Sequence, residues 1–315
     1  MCHLLSLLTN TLEFNLGPDK RYLKLSETQL SLQIELPANY WPDNDVVSKL
    51  FENLELSLNH ETVSHKSSAF DYPLTNHFMT KVTFDDSYVG TTMDTNGIFD
   101  PLDCDQDVLS TFAARLRRDE KSELFHKEIV HEGEHYMQPW HRYYFSVLLN
   151  CPLARTTDCL PNNLPISIRL HRASANFAII KLSDKITLKK KNDGTLVLVD
   201  YAYTPTVIPV INPVLSAYYA YSAELEQAMS RIKSSNYEIP IVDMVARRTV
   251  LDGGLMNFEL NLLQGRLPKY IIFALSSLER LSGTETLSLT KFVQGQLDSF
   301  DLMLGELISI FVQGL

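Results

Sequence analysis

The chain has 315 residues, 45% of them hydrophobic and 21% charged, with a formal net charge of −10. That length fills one large core or two of ordinary domain size, and the composition is globular, not disordered. The negative balance argues against a general nucleic-acid binder, which needs clustered Lys and Arg to neutralise phosphates.

Four cysteines, Cys2, Cys104, Cys151 and Cys159, are unevenly spaced and contain no Cys-X-X-Cys pair. This usage suits a reducing compartment, with buried and inert thiols. The start, MCHLLSLLTN, lacks a basic n-region and a small-residue cleavage site, and no apolar run reaches the length of a membrane span. The expectation is a soluble intracellular protein that is not secreted and has no membrane span.

Leu30-Ser31-Leu32-Gln33-Ile34-Glu35-Leu36 alternates and stops at Pro37, which predicts a half-buried strand with one wet face. Pro42-Asp43-Asn44-Asp45 is turn chemistry. Leu54-Glu55-Leu56-Ser57-Leu58 alternates again and ends at Asn59-His60. Residues Asp94 to Asp107 are acidic and turn-rich, but their order does not fit a calcium loop, so a solvated loop is expected. Thr111 to Lys127 reads as charged loop or short helix.

His131-Glu132-Gly133-Glu134-His135 fits His-Glu-X-X-His, with His141 where a third zinc ligand would fall. On a helix, residues four apart share a face, so two imidazoles would hold Zn²⁺ while Glu132 activates a water. Three residues oppose this. Gly133 weakens the required helix by roughly 1 kcal/mol against alanine, and Gln138 followed by Pro139 replaces the glycine that turns the chain toward the third ligand. A polar loop is the expectation, with His131, His135 and His141 as the alternative metal site.

Strands are predicted from Tyr143 to Leu149 and from Pro165 to Arg172, the latter with Ile166, Ile168 and Leu170 on its dry face and Ser167, Arg169 and His171 on its wet one. Ile186–Lys189 and Leu196–Val199 flank Asn192-Asp193-Gly194 as a hairpin. Pro205, Pro209 and Pro213 mark an extended crossing segment. Leu215, Tyr218, Tyr219, Ser222, Leu225, Met229 and Ile232 recur at helical steps, which predicts a helix over 215–232. Further strands are expected at Ile239–Val250, Met256–Leu263 and Tyr270–Leu275, the last buried on both faces after the turn Gly265-Arg266-Leu267-Pro268-Lys269. Phe300 to Phe311 alternates loosely. Many short strands with few helices predict an all-β, mostly β-sandwich or jelly-roll chain.

Four stretches, in this order, resemble the double jelly-roll major capsid proteins of polintons (Mavericks) and adintoviruses, including copies integrated in animal genomes. They are Val47 to Asn59, Leu160-Pro161-Asn162-Asn163-Leu164 with the strand to Arg172, Tyr237-Glu238-Ile239-Pro240 leading to Val250, and Leu263 to Lys269 with its apolar strand. The likeness covers roughly residues 20 to 305. It departs from the family at Ser276 to Gly283, which lacks the usual Asn-Asp and aromatic residues, and before Phe292, where an Asn-Pro-Phe signal is absent.

The resemblance implies a first jelly roll at 20–207, a linker with a helix at 208–235 and a partial second jelly roll at 236–315, since family members continue past the equivalent of Leu315. It further implies a structural virion protein forming pseudo-hexameric homotrimers, with a penton-type protein as partner and assembly in the host nucleus or cytoplasm. No catalysis and no cofactor are expected, and no direct nucleic-acid contact. The alternatives are a zinc-dependent hydrolase on the HEGEH motif and a host-retained relic that no longer assembles.

Overall fold

The structure, a computed structural model, describes residues 10–17, 19, 21–43, 45–63, 72–74, 76, 122–131, 134–149, 159–161, 164–181, 186–190, 196–199, 207–233, 250, 271, 274–283, 299–303 and 309–313. Strands β1 (Thr11–Leu16), β2 (Tyr22–Pro37) and β3 (Tyr40–Pro42) precede one helical turn, α1 (Val46–Lys49). Then come β4 (Phe51–Leu58), β5 (Glu61–Thr62), β6 (Ser122–His131), β7 (Glu134–Leu148) and β8 (Ile166–Arg172). A 3-10 turn at Ala175–Phe177 leads to β9 (Ile179–Lys181), β10 (Ile186–Lys190), β11 (Leu196–Val199) and β12 (Val210–Ala220). The remaining elements are helices α2 (Ala223–Lys233) and α3 (Leu278–Ser282) and strands β13 (Ser299–Met303) and β14 (Ser309–Gln313). The described chain is mostly strand, in antiparallel sheets with few helices, as the all-β expectation requires.

A four-stranded sheet has the order β1-β8-β4-β5, and a six-stranded one the order β11-β10-β7-β2-β12 with β6 also on β7. Residues Trp140 to Tyr143 pair with β2 and with β6 at once, so these two strands lie on opposite flanks of β7. Alternation decides what each sheet buries. Leu30, Leu32, Ile34 and Leu36 of β2 share a core with Tyr143, Phe145 and Val147 of β7 on one side. Leu12 and Phe14 of β1, Ile166 and Ile168 of β8, and Leu54 and Leu56 of β4 fill the same core from the other sheet. Each such side chain contributes about 1.5–3 kcal/mol of transfer free energy.

Turn chemistry sets the strand ends. Asn59 (φ 49°) and His60 (φ 68°) both adopt the left-handed conformation between β4 and β5, as a two-residue hairpin turn with the sheet's twist demands. In β12, Asn212 (φ 47°) and Pro213 fall where the register to β2 shifts between Ile211 and Val214. Pro213 has no N–H for a ladder, and the bulge removes the need for one. Ile186 to Lys189 pair with Val199 to Leu196, the hairpin expected there; Asn192, Asp193 and Gly194 lie outside the described residues.

Several sequence expectations are corrected. The helix predicted over 215–232 begins at Ala223, and Leu215, Tyr218 and Tyr219 lie on β12, paired with Leu30, Lys24 and Leu23 of β2. Apolar residues at mixed three- and four-residue steps satisfy a strand as well once a long partner is present, and Ser222 then fixes the start. Its hydroxyl accepts the Leu225 N–H at 3.0 Å, an N-cap bond, with Glu224 and Glu226 in the first turn.

Ser122 to Lys127 is not loop or helix but the start of β6, and β7 begins at Glu134, ahead of the predicted Tyr143. The supposed wet face of β2 is dry at Glu35, which is 5% exposed. In Tyr270–Leu275, Ala274 and Leu275 are exposed and in no strand, and helix α3 follows at Leu278. High β propensity makes a strand only where a partner ladder exists. Tyr270, Ile272 and Phe273 lie outside the described residues, as do 239–249 and Met256 to Leu263; Val250, at the end of the strand expected over Ile239–Val250, is exposed and in no strand. The tail pairs β13 with β14, from Ser299↔Gln313 to Met303↔Ser309.

Candidate functional site

His131 is the last residue of β6 and His135 the second of β7, in a ladder that pairs His131 with Glu134 and Val130 with His135. Glu132 and Gly133 lie outside the described residues. The motif therefore sits on a hairpin, where side chains repeat every second residue and not every 3.6. His135 is exposed, with Nδ1 at 2.7 Å from Glu128 Oε1. His141 lies six residues along β7, about 20 Å away at strand rise, with Nδ1 at 2.8 Å from the Ser122 hydroxyl. His135 and His141 are not brought together. No group of three or more His, Cys, Asp or Glu able to hold a metal occurs among the described residues.

What the strands do bring together is a charged network that the sequence did not announce. Glu35 on β2 pairs with Arg142 on β7, and Arg142 with Glu123 on β6, in one row across the sheet. Arg142 Nε and Nη2 donate to Glu35 Oε1 at 2.9 and 2.6 Å, and Lys127 Nζ of β6 donates to Oε2. The ammonium of Lys127 also lies 4.1 Å from the Trp140 ring centroid, and the Arg142 guanidinium 4.9 Å from that of Phe125. Burial pushes the Glu35 carboxyl up, but hydrogen bonds from Lys127 and Arg142 outweigh it and hold the group below the usual range. Three strands are thereby bolted together on one face.

A second polar cluster surrounds α1. Lys49 Nζ and Asp43 Oδ2 are 2.6 Å apart, with side chains 0% and 3% exposed. Asp45, in the left-handed conformation (φ 56°) ahead of α1, is buried, and Asn76 Nδ2 reaches its two carboxylate oxygens at 3.3 and 3.2 Å. Burial pushes the Asp45 carboxyl up to about 6, against the lowering influence of Lys49 and Asn76. Pro42-Asp43-Asn44-Asp45 was legible as a turn; that its carboxylates are inside was not.

Leu160 bridges to Leu23, and the Leu164 N–H donates to the Pro161 carbonyl at 3.4 Å. Asn162 and Asn163 lie outside the described residues, and so do Gly265, Leu267, Pro268 and Lys269. Pro161 lines a shallow cleft with Leu16, Asp19, Arg21 and Tyr219. Arg21 there pairs with Asp19 and stacks 4.9 Å from the Tyr219 ring centroid. Each of these polar groups is committed to a neighbour, which is bracing chemistry. Among the described residues, no helix is long and apolar enough to cross a membrane.

A scan against models of known protein families gives no match, and a search of curated proteins gives none.

Proposed function

We propose that this chain is a structural shell subunit of the double jelly-roll capsid type, a virion protein that works by self-association and catalyses nothing. One observation carries the reading. β1 pairs with β8 in one sheet while β2 pairs with β7 in the other, so the outer pair of strands encloses the inner pair in sequence. A long antiparallel ribbon folded over itself has this nested pairing, and rolling such a ribbon is how a jelly roll is built. β4 against β8, with Leu58 to Phe51 opposite Ile166 to Arg172, lies outside this nesting and brings a further strand onto the β1–β8 pair to widen the four-stranded sheet.

The residues of the resemblance support it where they are described. The strand from Phe51 to Leu58 does end in an asparagine turn, and the turn at Pro161 does lead into the alternating strand from Ile166. A sandwich braced by the Glu35 network and a buried Lys49–Asp43 pair is a stiff block, which suits a shell. In this reading three chains associate as a pseudo-hexameric trimer, with a penton-type protein closing the vertices, in a particle assembled in the nucleus or cytoplasm of a host cell. The hydrolase alternative needs a helix across HEGEH, and the shell reading is favoured over it because His131 and His135 lie on the paired strands β6 and β7.

Light scattering on the full chain, followed by electron microscopy, tests the proposal. A species at three times 35.9 kDa that builds plates or closed particles is the expected result. A folded protein that stays monomeric at every concentration and ionic strength would overturn the assembling function and leave the relic reading in its place.

A further inference from the structure

We infer that β6 is a self-complementary edge through which two copies of this chain pair antiparallel about a two-fold axis at Lys127. Among the described residues β6 is paired with β7 alone. One face of it presents Leu124, His126, Glu128 and Val130, all exposed, with Leu124 at 58% and Val130 at 60%. Leu124 lies on the same side of the sheet as the core of β2: it sits in a row with half-buried His141 and fully buried Leu36. The face is dry on β2, half-buried at His141, Pro139 and Met137 of β7 and exposed on β6, and apolar side chains left at such an edge are suited to a cover.

The order of the four residues says what the cover is. In an antiparallel pair related by a two-fold axis perpendicular to the sheet, residue i faces a residue of equal parity. With Lys127 on the axis, Leu124 faces Val130 of the second copy and His126 faces Glu128, and both pairs recur on the other side. Apolar meets apolar, and an imidazole meets a carboxylate. Moving the axis to His126 sets Leu124 against Glu128. Moving it to Glu128 sets that carboxylate against itself, and moving it to Phe125 sets Leu124 against His126. One register alone matches all four positions of this face.

Lys127 would face itself at the axis, which ordinarily blocks an edge. Here its ammonium is drawn back across the sheet to Glu35 and over Trp140. Glu123 on the same face is drawn back too, toward Arg142 at 3.7 Å and the Tyr144 hydroxyl at 2.9 Å. The charges that would guard this edge are held inward by the bracing network. Glu128 accepts from His135, and a carboxylate offers about four lone-pair sites, so each oxygen takes more than one donor. This contact is separate from the trimer proposed above. If the subunits also trimerise, it joins one trimer to the next.

Sedimentation velocity on the full chain over a concentration series tests the register. Leu124→Glu and Val130→Lys each place a charge opposite an apolar residue twice per dimer and are expected to weaken association by roughly tenfold or more. The double variant Leu124→Glu/Val130→Lys sets Glu against Lys at both positions and is expected to return to within about threefold of the unsubstituted chain. Circular dichroism checks that each variant is folded, which substitution at exposed sites permits. Singles that weaken and a double that restores support the pairing. A monomeric starting chain, association indifferent to all three variants, or a double no better than the singles overturns it. A trimer that persists unchanged in all variants removes the edge contact and leaves the shell reading standing.

Discussion

Asp45 is where the fold should respond most to pH, and the response has a defined sign. The carboxyl is buried, and its pKa rises from 3.8 to about 6. A carboxyl whose pKa is raised on folding binds more protons in the native chain than in the unfolded one, so stability falls as pH rises through the interval between the two values. The interval runs from about 4 to about 6. A shift of about two units corresponds to about 3 kcal/mol, a cost fully present at pH 8 and amounting to about 1 kcal/mol at pH 4.5.

Asp45→Asn keeps the shape, tolerates the left-handed conformation and carries no charge to desolvate. It should therefore gain about 2 kcal/mol on the unsubstituted chain between pH 4.5 and pH 8. Urea midpoints for both proteins at the two pH values measure it. The difference between pH values matters more than either absolute figure, because any change in the Asn76 hydrogen bonds enters both equally. A stability difference that does not change with pH, or that grows toward acid, would refute the account of Asp45 as a buried carboxyl held against its solvation.

Three further outcomes follow from named contacts. Glu35→Gln should cost about 2 kcal/mol near neutrality, since charge-assisted hydrogen bonds from Arg142 and Lys127 are lost. Because the Glu35 pKa is lowered on folding, the difference from the unsubstituted chain should shrink as pH falls below the ordinary carboxylate range, which urea titrations across pH 3–7 would reveal. Gly283→Ala should cost roughly 2 kcal/mol in thermal unfolding: φ is +79° and a Cβ would lie 2.7 Å from the Phe177 ring. Ser222→Ala should cost about 1 kcal/mol, read as faster amide exchange confined to the first turn of α2, because the Ser222 hydroxyl caps the Leu225 N–H.

Strand alternation made the core legible. Ile166, Ile168 and Leu170 are the dry face of β8 as read, and Leu30, Leu32, Ile34 and Leu36 are inside. What escaped was whatever depends on a distant partner. Glu35 occupies a polar position of an alternating strand, and nothing near it in sequence reveals that Arg142, 107 residues on, will meet it. Nor does any local pattern pair Thr11 with His171 across 160 residues, although that ladder is part of the nested arrangement on which the functional reading stands. Leu215 to Tyr219 read as helix because the period was judged alone; β2, sixteen residues long, supplied the ladder that made them strand.

The HEGEH segment follows from the same cause. Its spacing has meaning only on a helix, where two histidines four apart share a face. From Tyr136 onward the chain carries Tyr136, Trp140, Tyr143, Tyr144 and Phe145 within ten residues, and Trp140 to Tyr143 find β2 on one flank while β6 lies on the other. A strand held on both flanks extends back to Glu134, and the hairpin partner then fixes His135 beside Val130. The histidines were thus placed by aromatic residues downstream of them. The consequence is an exposed ladder face on β6 carrying Leu124, His126, Glu128 and Val130, whose symmetry is invisible while the segment is read as loop or helix. Once the segment is a strand, alternate residues are the ones that matter, and the four that alternate form a pattern that pairs with its own reverse.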